Sequence, residues 1–196
     1  MGRYFVWPFT ACMVSCGVDW TDHVDYTKGH SISIGDGAGS AIVGRHAPWS
    51  FIDYATETLG NIYGAMTMKT REPADHPQQK KALYAIEPEA GIESYKKEGM
   101  EGPLRLINQL IKRNNVPAPA IALFTHQASR KLLNHWNEQL KPGHLYDTLN
   151  VYGNMTFATI PVNLSHYWDE IQEEYLVLHT LGVGFHQTAI LLRRVS

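Results

Sequence analysis

The sequence predicts an α/β protein built in layers, and three observations carry that prediction. The chain twice passes from a short apolar run straight into an amphipathic segment, at 121–140 and again at 145–167. The 93–115 stretch sets Leu104, Ile107, Leu110 and Ile111 on one stripe of a helix. Two glycine-rich breaks, at 35–39 and 182–184, each separate short strand-like runs. Strands that alternate with amphipathic helices imply a sheet with helices laid on its faces.

In chain order, Thr10–Cys16 reads as a buried strand punctuated by Gly17. Asp19–Gly29 is polar with scattered aromatics, a loop or an irregular helix. Ser31–Ile34 alternates with period two, followed by Gly35-Asp-Gly-Ala-Gly39 and then Ser40–Val43: strand, tight turn, strand. Ser50–Met68 holds further alternating stretches and reads as β-structure, and Arg71–Lys81, with Pro73 and Pro77, reads as a surface insertion. The helix predicted over Glu93–Asn115 carries Lys112 and Arg113 in its last turn, where they complement the dipole, and Pro117 and Pro119 stop it. Next come a strand at Ile121–Phe124, a helix over Ala128–Leu140, a strand at Leu145–Tyr152, a break at Gly153-Asn154 and a helix over Met155–Tyr167. Tyr175–Leu181 is a buried strand, Gly182-Val-Gly184 a turn, and Thr188–Arg193 the last strand. The glycine-turn strand pairs at 31–43 and 175–193 hint at an internal duplication.

Composition narrows the function classes. A chain of 196 residues with 44% hydrophobic and 18% charged residues fits one globular domain, or a large part of a bigger one. A formal net charge of −2 without a basic cluster removes the electrostatic footprint of a general nucleic-acid binder. No run approaches the roughly 18 apolar residues of a membrane-spanning helix. The apolar stretch after Met1-Gly2-Arg3 imitates a secretion signal, but Pro8 interrupts it and a single Arg supplies its charge, so a core strand is the expectation. Cys12 and Cys16, four apart on that strand, are too separated for a good disulfide and are expected to be packed core thiols in a reducing, cytoplasmic setting.

Among the motifs, Gly35-Asp-Gly-Ala-Gly39 departs from a dinucleotide-binding loop, because its third Gly comes one residue early and a strand-like run follows it. The ten histidines form no H-E-x-x-H pair and no Cys/His cluster, so no metal is expected. His126 and Asn154 stand out. Each sits where a predicted strand hands over to a helix, 28 residues apart, at the sheet edge where α/β proteins gather ligands. Taken singly, His126 reads as a strand-end histidine satisfied by backbone, and Asn154 as a turn or cap residue. As a pair, a neutral imidazole and a carboxamide offer two N–H donors to an oxygen that becomes an oxyanion.

These residues carry a family resemblance. Thr125-His-Gln-Ala-Ser-Arg130 resembles the His-Gln-Ala-Asn segment of the β-ketoacyl-acyl-carrier-protein synthase III enzymes of the thiolase superfamily. Tyr152-Gly-Asn-Met-Thr156 resembles their Gly-Asn-Thr-Ser segment, Ile34-Gly-Asp-Gly-Ala-Gly-Ser-Ala41 their Phe-Gly-Asp-Gly-Ala-Gly segment, and Leu181-Gly-Val-Gly-Phe185 their C-terminal glycine turn. The four occur in family order from about Ala11 onward. The resemblance implies a thiolase-like layered fold, here mainly the C-terminal half (46–196) with the last strands of the N-terminal half (1–45). It implies decarboxylative thioester condensation in fatty acid or polyketide synthesis, with coenzyme A or acyl-carrier-protein thioesters as substrates and no resident cofactor. His126 and Asn154 would stabilise the thioester enolate, and Val183 would lend a backbone N–H to the acyl oxyanion.

The departures from the family pattern are specific. Ser129 stands for its Asn and Phe157 for a small residue, which would reshape the substrate channel, and His186-Gln-Thr188 stands for Thr-Trp-Gly. The segment bearing the nucleophilic cysteine lies, in the family, upstream of the strand that Ala11–Cys16 represents, so the chain is expected to lack that residue. Two readings follow: an incomplete acyltransferase, acting as a dimer or with a chain that supplies the first thiolase half, or a non-catalytic subunit that pairs with a complete synthase. An unrelated nucleotide binder would rest on the glycine loop alone.

Overall fold

The computed structural model describes residues 11–20, 23–24, 32–71, 81–86, 90–182 and 184–195. Its centre is a five-stranded mixed sheet. In chain order the strands among the described residues are β1 (Ala11–Val18), β2 (Gly37–Gly44), β3 (Trp49–Thr58), β4 (Met66–Arg71), β5 (Lys81–Ile86), β6 (Ile121–Thr125), β7 (His144–Tyr146), β8 (Tyr175–Gly182) and β9 (His186–Arg194). The α-helices among them are α1 (Ala90–Ser94), α2 (Met100–Arg113), α3 (Arg130–Leu140), α4 (Leu149–Tyr152) and α5 (Thr159–Tyr167). The central sheet runs β3-β9-β8-β6-β7; β6 is parallel to both β7 and β8, and β9 is antiparallel to both β8 and β3.

β6 shows why the sheet is layered. Every residue of Ile121–Thr125 is buried, as befits a parallel strand covered on both faces. Ile121 and Leu123 join Leu104, Ile107, Leu110 and Ile111 of α2 and Leu132, Leu133, Trp136 and Leu140 of α3 in one core. Ala122 and Phe124, pointing the other way, pack with Tyr146, Ile171 and Leu176, against Ile160, Leu164 and Tyr167. Two helices therefore lie on one face of the sheet and α5 on the other.

The long helix predicted over Glu93–Asn115 is present, starting at Ala90 and passing through a wide turn at Tyr95–Gly99 before α2. That turn lies just ahead of Pro103, which has no N–H to return to the preceding turn and whose ring crowds it. α3 begins where Ser129 Oγ accepts from the Leu132 N–H at 3.3 Å, and ends at Lys141 in the left-handed conformation.

Four expectations are corrected. The strand expected over Leu145–Tyr152 is only His144–Tyr146; Thr148 then opens the short helix α4, so Asn154 follows a helix rather than a strand. Gly35–Gly39 is not a turn between paired strands: β2 begins at Gly37 and pairs with β1, Ala11 opposite Gly44 through Val18 opposite Gly37. The glycines serve close approach instead, since a Cβ at Gly37 would lie 2.8 Å from Met155 Sδ and one at Gly39 2.7 Å from Pro161 Cγ. β1 is not a buried strand. Cys12 is exposed and Cys16 half-buried rather than core thiols, because at the Ala11–Val14 end no described element covers the β1–β2 ribbon. Within Ser50–Met68, a turn of 3₁₀ helix at Gly60–Ala65 separates β3 from β4. Most of the insertion expected at Arg71–Lys81 lies outside the described residues.

Candidate functional site

The site grows from the C-terminal end of β6. The His126 N–H donates to the His179 carbonyl at 3.0 Å, carrying the β6–β8 ladder one residue past Thr125. His126 is half-buried, and burial pushes its imidazole from the ordinary 6.5 down to about 4. Desolvation therefore keeps the ring neutral near pH 7.

Asn154 is fixed by its backbone on one side and its carboxamide on the other. Its N–H donates to the Ser33 carbonyl at 2.5 Å and its carbonyl accepts from the Gly35 N–H at 3.1 Å, so Ile34 and Asn154 form a parallel bridge. The glycine segment thus clamps the Asn154 turn, and a Cβ at Gly35 would strike the Tyr152 carbonyl. Gly153 sits at φ +71°, where a Cβ would meet the Ser33 carbonyl oxygen at 2.6 Å. Asn154 Oδ1 accepts from the Thr156 N–H at 3.0 Å, which commits the oxygen and leaves the NH₂ as the free end of the amide. Thr156 holds a positive φ of 43°, unusual for a β-branched residue, and its hydroxyl is buried without a partner.

A buried polar cluster ties the two segments together. Gln127 Nε2 donates to the Gly153 carbonyl at 2.6 Å and to Thr148 Oγ1 at 3.3 Å. Gln127 Oε1 accepts from the Thr148 N–H at 3.1 Å and from Asn163 Nδ2 at 3.0 Å, and the Thr148 hydroxyl donates to Asn163 Oδ1 at 2.5 Å. All three side chains are buried. The neighbour of His126 is thereby bonded to the neighbour of Asn154, across 26 residues of chain. This cluster escaped the sequence reading. Its signal was a polar Asn163 set between Val162 and Leu164 on a helix that must bury one face.

The remaining expected site residues are placed as follows. Ser129 caps α3 with its hydroxyl, Phe157 is largely exposed and its carbonyl accepts from Cys16 Sγ at 3.1 Å, and Val183 lies outside the described residues. No group of three or more metal-ligating side chains occurs among the described residues, and none of their helices is long and apolar enough to cross a membrane.

Residues 105–194 match the family described as 3-Oxoacyl-[acyl-carrier-protein (ACP)] synthase III C terminal. A β-ketoacyl-[acyl-carrier-protein] synthase III of Helicobacter pylori (strain P12) is 27% identical over 149 residues, covering 73% of this chain and 45% of the relative. The synthase III of Chlorobium phaeobacteroides is 26% identical over 186 residues, covering 88% of this chain and 56% of the relative. The chain thus spans about half the length of the curated relatives it matches. Among solved structures, the synthase III enzymes of Aquifex aeolicus and Pseudomonas aeruginosa superpose with TM-scores of 0.75 and 0.78 at 20% and 16% identity. They cover 94% and 95% of this chain, and the chain covers 58% and 60% of theirs. The layered fold is that of these synthases.

Proposed function

We propose that this chain, a relative of the synthase III enzymes in their C-terminal portion, supplies the two-donor half of a decarboxylating acyltransferase site. In this reading His126 and Asn154 direct neutral N–H groups at the thioester oxygen of a malonyl unit carried on coenzyme A or an acyl-carrier protein. The bond from C2 to the carboxylate breaks, carbon dioxide departs, and the electron pair spreads onto the thioester oxygen as an enolate. That carbanion attacks an acyl thioester held on a cysteine, and the cysteine leaves as thiolate. Each well-placed donor to such an oxyanion is worth on the order of 10²–10³ in rate. By the resemblance, Ser129 and Phe157 would line the substrate channel and Val183 would supply the backbone N–H for the acyl oxyanion.

The observation that carries this reading is the Gln127–Gly153 bond together with the commitment of Asn154 Oδ1 to Thr156. The first ties the two segments to each other, and the second orients the carboxamide so that its NH₂ is the end left to donate. By the resemblance, the nucleophilic cysteine would lie upstream of the strand that β1 represents, so in this reading it comes from outside residues 1–196. Cys12 is exposed on a strand and Cys16 donates to carbonyls, and among the described residues neither thiol is hydrogen-bonded to a base.

A second reading, a non-catalytic subunit that pairs with a complete synthase in the cytoplasm, draws on a separate observation. Met13, Val14, Ile42 and Val43 are 56–75% exposed on the β1–β2 ribbon, an apolar surface of the kind that marks interfaces. Reconstitution with a chain that supplies the first thiolase half separates the two. If the donor reading holds, His126→Ala abolishes condensation while acyl-CoA labels a cysteine only on the complementing half. If His126→Ala leaves turnover unchanged, the chain is a pseudo-subunit.

A further inference from the structure

A second histidine, His179, is fully buried in the middle of β8, and nothing so far assigns it a task. Its Nδ1 lies 2.7 Å from the Thr125 hydroxyl and its Nε2 3.4 Å from Gln187 Oε1, while its ring meets Trp136 edge-on at 6.1 Å between centroids. Gln187, also buried, gives its Nε2 to Glu57 Oε2 at 2.7 Å. Glu57 in turn is held by Arg105 through Nε at 3.2 Å and Nη2 at 2.5 Å, and Arg105 also reaches Glu98 at 3.2 Å. Gly102 permits this arrangement, since a Cβ there would lie 2.7 Å from Gln187 Nε2.

The hydrogens along this chain can be assigned from its outer end. A carboxylate only accepts, so Gln187 must present its NH₂ to Glu57 and its oxygen to His179. His179 must then carry its proton on Nε2, and its bare Nδ1 accepts from the Thr125 O–H. The His179 carbonyl meanwhile holds the N–H of His126. One residue therefore grips the last residue of β6 with its side chain and the next residue with its backbone.

We propose that His179 is a positioning residue for His126, its tautomer dictated from the protein surface by Arg105, Glu57 and Gln187. The inference deepens the two-donor reading and rests on it for its functional meaning, but its physical signature does not need activity. Burial keeps both imidazoles uncharged at neutral pH, so a single tautomer is a meaningful state for each.

The test is long-range ¹⁵N–¹H correlation spectroscopy of the full chain labelled at histidine. In the parent protein His179 should show a protonated Nε2 and a bare Nδ1. Gln187→Leu should convert it to a mixture of tautomers and shift the His126 ring signals as well. Glu57→Ala, at a half-exposed position compatible with folding, should give the same change in weaker form. With the complementing half present, both variants should lower kcat for condensation severalfold at nearly unchanged KM. A protonated Nδ1 in the parent protein overturns the proposal, as do unmoved His126 signals in the folded variants. Malonyl-CoA that leaves the His126 ring signals of the parent protein unmoved counts instead against the donor reading, whatever the tautomer of His179.

Discussion

Gly153 meets two separate constraints at one position. Its φ of +71° is one that L-residues avoid, and the Ser33 carbonyl lies where a Cβ would go. Gly153→Ala should lower stability by about 1–3 kcal/mol, read as a fall in the denaturant midpoint. It should also release Asn154 from its bridge to Ile34, read as faster exchange of the Asn154 amide. The two buried histidines set a pH signature. Folded-state values of about 4 for His126 and about 3 for His179 lie below the ordinary 6.5, so between those limits the unfolded chain binds more protons than the native one. Stability is fully present above about pH 6.5 and drains away as pH falls toward 4 and 3. His179→Gln should flatten that slope in thermal melts recorded from pH 7 to 4, even if it lowers the melting temperature at pH 7.

At the scale of elements, the parts legible in the sequence were those with one dominant periodic signal. The all-apolar Ile121–Phe124 run became β6, Ala128–Leu140 became α3 within two residues at its start, and the 104–111 stripe became the buried face of α2. The misreadings had a common cause, in that tertiary neighbours and not local pattern decide them. Leu145–Tyr152 looks continuous, yet Thr148 is drawn into the Gln127–Asn163 cluster, which breaks the strand after Tyr146 and starts α4. The Gly35–Gly39 segment has turn composition, yet its glycines are there because Met155, Pro161 and the Tyr152 carbonyl press on the backbone. His126 and Asn154 could be singled out from their motifs; Gln127, His179 and Gln187 could not be linked without the register of β6, β8 and β9. The α2–α3 layer yields a direct prediction. Trp136 is buried and its Nε1 donates to the Met100 carbonyl at 3.0 Å. Trp136→Ala should cost about 3–5 kcal/mol, measured by urea unfolding, and Trp136→Phe less, since it keeps most of the apolar volume.

Across the whole molecule, burial is uneven. The five-stranded sheet is covered on both faces at β6, whereas the β1–β2 ribbon turns apolar side chains outward at one end. A two-stranded ribbon alone is marginal in water, so cover for this end is the expectation of either functional reading. Met13 and Ile42 are register partners, exposed at 70% and 75%. Changing both to Lys should leave the melting temperature of the isolated chain within a few degrees and abolish association with a complementing half in sedimentation velocity. Retained association would place the interface elsewhere.

The central claim is that one imidazole and one carboxamide serve a single thioester oxygen. Decarboxylation of malonyl-CoA tests it most directly, because that step needs the two donors and no nucleophile. Acetyl-CoA formation should exceed the uncatalysed rate with the parent protein, drop by about 10²–10³ for His126→Ala and for Asn154→Ala alike, and drop little further in the double variant. Equal rates in the parent protein and both single variants would contradict the account.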